Sequence, residues 1–392
     1  MDTVPALPRS PRSAPRTPRS ALPLVAATLG LLAACTDHGP TAPTSGPTAA
    51  RTPAPAAGGG VTVVMTGLNS PKQLAFGPEG ALYVAESGTG AENGPSIPAG
   101  DRGADAFYSG TGSVSRLWKG RQERIVTGLP SLAAGGGAVT GPQDIAFQGR
   151  GNMYVTIGLG ADPALRAGLG ALGRGIATLV VVRPNGNWQV ASDVGAYEDQ
   201  ANPDGGLEDT NPYGVLAEGG RQYVADAGGN ALLEVAPNGK ISTLAVFPNF
   251  ALPPGLPFPF RSSQAVPTEV ERGPDGALYV STLSGVPFLP GVAVIYRVTP
   301  GAAPTVYRGG FTAVTDFAFA PDGGLYVLQF ASAPFLGGAG SVLRVAPDGA
   351  TRTTVLGGLV APTGIAVGPD GAVYVTNKGV LVGAGEVLRI AP

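Results

Sequence analysis

Short apolar stretches recur along the chain, and each copy contains a tyrosine followed by a valine. Five of the six copies read apolar-Tyr-Val, and the sixth, Gln222-Tyr223-Val224, begins with a polar residue. The tyrosines lie 71, 69, 56, 47 and 48 residues apart, and a period near 47 with insertions is typical of radial repeat proteins. Six copies therefore predict six structural repeats. The repeat tyrosines are Tyr83, Tyr154, Tyr223, Tyr279, Tyr326 and Tyr374.

The last repeats show what one copy contains. The apolar run 364–367 is followed by Gly368-Pro369-Asp370-Gly371, in which Pro presets φ and Gly supplies a positive φ for a tight turn. Residues 372–376 then form a second run, rich in β-branched and aromatic side chains. The preceding repeat adds strands at 341–345 and 350–356. Each repeat is thus predicted to be four antiparallel strands, here a to d from the inside outward, in an all-β, six-bladed β-propeller.

The two ends of the repeat region complement each other. A lone strand at 61–66 precedes the first inner strand, and the chain closes with a c strand at 386–390 that no d strand follows. The first strand is predicted to complete the last blade, which closes the ring and leaves no open edge. The propeller is therefore expected to span residues 61–392.

The first 60 residues are predicted to lie outside this fold. Four arginines precede an apolar stretch at 21–34, which ends in Leu32-Ala33-Ala34-Cys35 and resembles a bacterial lipoprotein signal. Residues 1–34 are expected to be the signal peptide, Cys35 the lipidation site and residues 35–60 a disordered tether rich in Pro, Thr, Ala and Gly. The alternative is an ordinary secretory signal with an incidental cysteine. The expected location is extracytoplasmic, anchored to the bacterial envelope or secreted.

Composition excludes several kinds of chemistry. Cys35 and His38 are the only cysteine and histidine of the chain, and both precede the propeller. This excludes Ser-His-Asp triads, cysteine nucleophiles and histidine-ligated zinc in the folded region. Residues 35–392 carry 21 Lys and Arg against 26 Asp and Glu, a formal charge of −5, which gives no basic footprint for nucleic acid.

The predicted loops differ between the two faces of the ring. The a-b and c-d turns are short, whereas the b-c loops, such as 87–112 and 158–175, and the d-a loops 191–211 and 248–266 are long. Long loops on a rigid scaffold concentrate binding residues. The long-loop face is therefore the expected functional face, with a protein, glycan or small molecule as partner, no membrane contact beyond the lipid anchor, and a monomeric state.

Two rings of residues are expected near the channel mouth on that face. One precedes each a strand, and the other lies three residues after each repeat tyrosine. Their oxygen atoms are suited to Ca²⁺; the alternative is that they only hydrogen-bond exposed backbone at the blade tops. The candidate ligands are Glu86, Asp144, Asp226, Glu269, Asp316 and Asn377, and no residue is assigned a catalytic role.

Three other features are interpreted as structural rather than functional. The acidic loop 202–211 lacks the spacing of a helix-loop-helix calcium site and is interpreted as a region of Asx turns. The loop aromatics Phe247, Phe250, Phe258, Phe260 and Phe288 are interpreted as covering the blade ends. The Pro-Asp-Gly copies are interpreted as turns alone.

From residue 61 to 392 the chain resembles the ScyD/ScyE family. The matching segments include Gly141-Pro142-Gln143-Asp144-Ile145, Asn211-Pro212-Tyr213-Gly214 and Tyr223-Val224-Ala225-Asp226-Ala227. The repeats also resemble NHL repeats and, more loosely, gluconolactonase-like propellers, in which carboxylates and amides hold a metal. Thr282 and Gln329 depart from the family pattern, where Glu is frequent, and this weakens any metal site that includes them.

Two functions follow as expectations. The first is a membrane-tethered binding or interaction protein of the ScyD/ScyE family, which is not an enzyme. The alternative is a metal-dependent hydrolase or lactonase with Ca²⁺ held by carboxylates at the mouth of the central channel. Fold alone does not choose between them.

Overall fold

The computed structural model describes residues 60–98, 104–134, 139–149, 151–257 and 261–392. The predicted signal peptide, Cys35 and nearly all of the tether lie outside the described residues, as do Phe258 and Phe260. Within the described ranges the chain forms six antiparallel sheets arranged as a β-propeller, so the predicted fold class is confirmed.

Each blade is a sheet of four main strands. β1 (Val61–Leu68) is the outer strand of blade 6, and blade 1 follows with β2 (Pro71–Phe76), β3 (Leu82–Glu86), β5 (Ala106–Trp118) and β6 (Arg121–Ala134). Two short strands, β4 (Ser96–Ile97) and β7 (Val139–Thr140), extend it. Blade 2 consists of β8 (Pro142–Gln148), β9 (Asn152–Ile157), β10 (Thr178–Val182) and β11 (Trp188–Asp193). Blade 3 consists of β12 (Pro212–Glu218), β13 (Arg221–Asp226), β14 (Ala231–Val235) and β15 (Ile241–Val246).

The second half of the ring repeats this plan. A two-stranded pair, β16 (Phe250–Ala251) and β17 (Ser262–Ser263), precedes blade 4, which consists of β18 (Pro267–Arg272), β19 (Leu278–Thr282), β20 (Ala293–Val298) and β21 (Thr305–Phe311). Blade 5 consists of β22 (Val314–Phe319), β23 (Leu325–Gln329), β24 (Gly340–Val345) and β25 (Arg352–Leu359). Blade 6 consists of β26 (Gly364–Val367), β27 (Val373–Asn377), β28 (Gly385–Ile390) and β1.

The ring closes as predicted. β1 pairs antiparallel with β28, with Val61 opposite Ile390 and Met65 opposite Val387. This pairing joins the first and last strands of the propeller into one blade, so the end of the repeat array has no free edge.

The hydrophobic core lies between blades rather than at the centre of the ring. The buried side chains form a cluster at each of the six blade junctions; for example, Phe317 of blade 5 packs with Ile295 of blade 4. A seventh cluster, with Leu283, Phe288 and Phe330, lies under the loops of blades 4 to 6. Because each junction buries its own apolar cluster, neighbouring blades hold one another at fixed angles.

The repeat tyrosine has a structural role on the short-turn face. In blade 4 the turn residue Asp275 accepts hydrogen bonds from the Tyr279 hydroxyl (3.2 Å) and Arg297 Nε (2.9 Å), and its other oxygen caps the turn at the Ala277 nitrogen (3.1 Å). Blade 6 repeats this arrangement with Asp370, Tyr374 and Arg389. In blades 4 and 6 the repeat tyrosine therefore fixes the Asp-Gly turn of its own hairpin.

The long loops contain more regular structure than the sequence indicates. β5 and β6 extend the blade 1 hairpin past the predicted loop boundary at residue 112, so that Ala106 pairs with Ala134. The loop after β9 holds a 3₁₀ segment, Pro163–Gly175, and the loop after β11 holds an α-helix, α1 (Val194–Ala201), capped by Asp193. The latter is too short to produce a visible helical period.

Candidate functional site

The six inner strands approach the channel with one shared pattern. Five of the six strands have a proline at their start or just before it. The residue two positions after this proline, and the equivalent residue of blade 5, form a ring around the axis. Blades three apart lie opposite each other in a six-bladed ring. Opposite blades carry related residues at this position, and the pairs are Gln73 with Glu269, Asp144 with Asp316, and Gly214 with Gly364. We call this set the channel ring, and it comprises Gln73, Asp144, Gly214, Glu269, Asp316 and Gly364.

The two aspartates of the channel ring make equivalent bonds. Asp144 accepts from its neighbour Ile145 N (2.6 Å) and, across the blade junction, from Val215 N (2.7 Å). Asp316, in the opposite blade, accepts from Phe317 N (2.6 Å) and from Ile365 N (2.6 Å) of the next blade. Each aspartate therefore joins two inner strands and presents its carboxyl group to the channel.

Glu269 and Gln73 meet across the axis. Gln73 Nε2 donates to Glu269 Oε2 (2.5 Å) from the opposite blade and also approaches the Thr268 and Thr315 carbonyls. Glycine is required beside both side chains, because a Cβ at Gly214 would lie 2.7 Å from Glu269 Cα and 3.0 Å from its Oε2. Gly364 has the same relation to Gln73, whose Cα would lie 2.7 Å from an added Cβ.

The three carboxyl groups of the channel ring are buried and close enough to influence each other. Asp144, Glu269 and Asp316 are 4%, 7% and 4% exposed. Burial raises the pKa of Asp144 to about 7, and burial together with the neighbouring carboxylates raises the pKa values of Glu269 and Asp316 well above their usual range. The channel therefore retains protons on carboxyl groups under conditions where exposed acids are fully ionised.

Two further side chains contribute to this environment. Tyr213 precedes the ring residue of blade 3, and burial followed by the charges of Asp316, Asp144 and Glu269 raises its pKa. Glu271 lies one layer below Glu269 in the same strand, accepts from Phe319 N (3.2 Å), and has a pKa raised by burial to about 8. Neither residue belonged to the predicted rings, although alignment of the six inner strands could have identified both.

Within the described ranges, no nearby base compensates these carboxyl groups. Lys72 precedes Gln73, but its Nζ donates to the Gly379 carbonyl (3.0 Å), and burial lowers its pKa to about 8. The ion pairs formed among the described residues include none of the three ring carboxylates. In addition, Gln73 Oε1 is buried without a hydrogen-bond donor.

The channel cavity extends from the ring toward the short-turn face. It measures about 350 Å³ and is lined by the ring carboxylates and by the residues that follow them on the inner strands. All six inner strands are buried where they begin and become partly exposed where they lead into the a-b turns. The carboxylates therefore lie at the inner end of this cavity rather than at a mouth on the long-loop face, where the sequence placed them.

The second predicted ring lies elsewhere. Fully buried Glu86 accepts from Asn69 N (2.6 Å), Ser115 Oγ (2.5 Å) and Arg124 Nη2 (2.8 Å). Asn377 Oδ1 likewise accepts from Val360 N (2.9 Å).

Asp226 has the same position in blade 3 and accepts from Asn211 N (2.7 Å) and Thr210 Oγ1 (2.6 Å). In each case a side chain at the end of a b strand holds the segment that leads into its own blade. The structure thus brings Asp144, Glu269 and Asp316 together in the channel and places Glu86, Asp226 and Asn377 apart from them.

A preformed metal cage is not seen in the described ranges. Among these residues no three or more His, Cys, Asp or Glu side chains are arranged to hold a metal ion. The part of the chain that the structure describes also has no helix of sufficient length and apolarity to span a membrane.

Several solved structures share the fold of this chain. A Thermus thermophilus protein provisionally named an oxidoreductase (glucose dehydrogenase) is 19% identical, with a TM-score of 0.50, over 85% of this chain and all of that one. A luciferin-regenerating enzyme is 10% identical, with a TM-score of 0.50, over 86% and 96%. A protein provisionally named a gluconolactonase is 13% identical, with a TM-score of 0.47, over 86% and 93%.

These neighbours are six-bladed β-propeller proteins, and at such identities the likeness shows the fold alone. No protein-family model and no curated protein matches the chain. The resemblance to the ScyD/ScyE family is not confirmed by these comparisons and stays a prediction.

Proposed function

We propose that the central channel is the functional site and that the protein is a cation-dependent hydrolase of small esters or lactones. The observation that carries this proposal is the convergence of Asp144, Glu269 and Asp316 in one cavity without a basic partner among the described residues. Three buried carboxyl groups repel each other when ionised, and a divalent cation would compensate that charge. The buried, unsatisfied Gln73 Oε1 is a neutral oxygen in the same ring.

The side chains fit this chemistry in distinct roles. A bound cation would polarise a carbonyl group. The three ring carboxylates do not form a metal cage in the described structure, so they would move closer together to hold it. Burial raises the pKa of Asp144 to about 7 in the cation-free site, and a bound cation would lower it again, so Asp144 would serve as a ligand rather than as a general acid or base. Tyr213 keeps its hydroxyl proton across the physiological range and can donate a hydrogen bond into the channel.

The second candidate is a binding protein that performs no reaction. It is favoured by the low exposure of the ring carboxylates and by the long loops on the opposite face, where a protein, a glycan or a small molecule would bind. Tethering through Cys35 and an extracytoplasmic location belong to this proposal and apply equally to the hydrolase.

The test combines cation binding with turnover. The melting temperature of residues 60–392 would be measured in EDTA and with millimolar Ca²⁺, Mg²⁺ or Mn²⁺, for the wild type, Asp144→Asn and Asp316→Asn. A cation at 100 times its Kd stabilises the native state by about 2.7 kcal/mol. Asp348→Asn, in an exposed turn of blade 5, is the matched control.

The outcomes separate the two candidates. A cation-induced shift that is smaller in both channel variants than in the wild type and in Asp348→Asn, together with cation-dependent hydrolysis of lactones or aryl esters, supports the hydrolase. The same shift without hydrolysis would support a protein that binds a cation in the channel and performs no reaction. If no cation shifts the midpoint, the hydrolase proposal fails and the channel carboxylates are structural.

A further inference from the structure

A second group of acids lies on the long-loop face, apart from the channel ring. α1 follows β11, and the loop after it carries Asp204, Glu208 and Asp209 before blade 3 begins. Glu198 projects from α1 toward Asp226 at the end of β13. The charges of these four carboxylates act on Glu198, which identifies them as one electrostatic group.

Glu198 is unusual within this group. It is 2% exposed, and its Oε1 is buried without a hydrogen-bond donor. Burial, followed by the charge of Asp226, raises its pKa to about 8. The ion pairs of the described ranges do not include Glu198, Asp204 or Asp226, and an unpartnered carboxylate at such depth is costly.

Gly229 lies between the carboxylates of Glu198 and Asp226. A Cβ added at this glycine would lie 2.8 Å from Glu198 Oε2 and 3.4 Å from Asp226 Oδ2. The glycine therefore leaves open the space that both oxygens border. Asp226 Oδ1 is fixed by the amides of Asn211, Gly228 and Gly229, whereas its Oδ2 accepts from Thr210 Oγ1.

The end of α1 and the loop after it carry further oxygen donors, on Asn202 and Asp204. Asp204 is held by Gly206 N (2.7 Å) and by Asn230 Nδ2 (2.9 Å), which connects the loop to blade 3. Asn202 caps α1 with a left-handed backbone, and its Oδ1 is a second buried acceptor without a donor. Carboxylate and amide oxygens are the donor set of Ca²⁺ sites in proteins.

We propose that Glu198 and Asp226, with Asp204 and the Asn202 side chain, bind a Ca²⁺ ion that ties α1 and its loop to blade 3. This site is independent of the channel and of the reaction proposed for it. In the described structure these residues do not form a closed three-acid cage, so the carboxylate of Glu198 adjusts on binding. The ion would satisfy its unpartnered oxygen and offset the repulsion from Asp226.

Calorimetric titration of Ca²⁺ into EDTA-treated protein tests this site. Wild-type protein should show a binding event that Glu198→Gln weakens by about tenfold or more, since one charged ligand is lost at constant shape. Asp199→Asn, the exposed neighbour on the same helix, and Asp144→Asn, in the channel, should keep it. Hydrogen exchange of peptides covering residues 194–211 should slow on adding Ca²⁺ in the wild type and not in Glu198→Gln.

The alternatives give different results. If Glu198→Gln binds Ca²⁺ as the wild type does, or if wild-type protein shows no exchange change in 194–211, the site is absent and Glu198 is simply a protonated buried acid. Loss of binding in Asp144→Asn alone would place the ion in the channel and overturn this proposal. If Glu198→Gln does not fold, Asp204→Asn serves as the second variant and should also weaken binding.

Discussion

Glu86, at the end of a b strand, and Glu269, in the channel ring, are the same kind of residue in opposite electrostatic surroundings. Glu86 is fully buried and accepts hydrogen bonds from a backbone amide, a serine and the Arg124 guanidinium. Glu269 is 7% exposed and accepts from Gln73 Nε2 and the Val270 amide, but it has no ion-pair partner among the described residues and faces the carboxyl groups of Asp144 and Asp316. The negative charge of the first acid is compensated by an arginine of its own blade, whereas that of the second requires a proton or a ligand.

This difference separates structural acids from candidate functional ones. A compensated acid such as Glu86 positions the chain and needs nothing from solvent. An uncompensated cluster costs stability at neutral pH and is retained at functional sites, where perturbed pKa values concentrate. The comparison therefore predicts that Glu86 and the channel carboxylates respond differently to cations and to substitution.

The largest expected effect is the pH dependence of the channel. A carboxyl group whose pKa is higher in the folded state stabilises the protein below its unfolded pKa and loses that contribution as pH rises through the folded value. For Asp144, with a rise from 3.8 to about 7, the loss is roughly 4 kcal/mol. In EDTA, the free energy of unfolding should therefore fall between about pH 4 and pH 7 and level off above pH 7.

Asp144→Asn supplies the comparison for that measurement. The variant loses the acceptor for Val215 N, so at pH 5 it should be less stable than the wild type by about 1 kcal/mol. It should become the more stable of the two near pH 8, as measured by urea unfolding. Parallel curves for the two proteins would show that Asp144 is not held at a raised pKa.

Next in size is the loss of a compensated acid. Glu86→Ala removes the acceptor of Asn69 N, Ser115 Oγ and Arg124, and leaves buried donors unpaired. We expect a loss of about 2–3 kcal/mol in the free energy of unfolding, measured by urea unfolding. The Arg124 side chain is 39% exposed and stays hydrated when its partner is removed, which limits the loss of unfolding free energy.

Glu123→Ala is the control for this prediction. Glu123 pairs with Arg116 on the neighbouring strand of the same blade but lies at the surface, so its loss should leave the urea midpoint close to that of the wild type. Equal effects of the two substitutions would contradict the assignment of Glu86 as a structural anchor.

The repeats let the sequence predict the ring but not the chemistry at its centre. The tyrosine period, the turn residues and the lone strand at 61–66 are local signals, and they led to six blades and to the β1–β28 closure. Both polar rings follow from position in the repeat. Which of them faces the channel depends on how the segments between blades pack, and no local pattern records that packing.

The direction of the cavity and the Glu198 cluster were missed for related reasons. The inner strands are closest together where they begin, so burial decreases toward the a-b turns, and this taper is a property of the whole ring. Glu198 lies on an eight-residue helix within a segment that the sequence predicts to be a loop. Asp226, to which it lies close, is at the end of strand β13. The sequence showed an acidic loop and could not show that a helix buries one more acid against it.

The smallest expected effect concerns acids that arginine compensates at the surface. Asp275 is 43% exposed, and the Ala277 amide, followed by Arg297 and Tyr279, lowers its pKa, so it stabilises the fold above its unfolded pKa and loses that contribution at low pH. Asp275→Asn should cost under about 1 kcal/mol at neutral pH, less at high salt. Glu79→Gln in blade 1 should cost less still, because Arg116 there pairs with Glu123 instead. If either substitution matched the effect of Glu86→Ala, burial would not be what separates anchoring acids from surface ones.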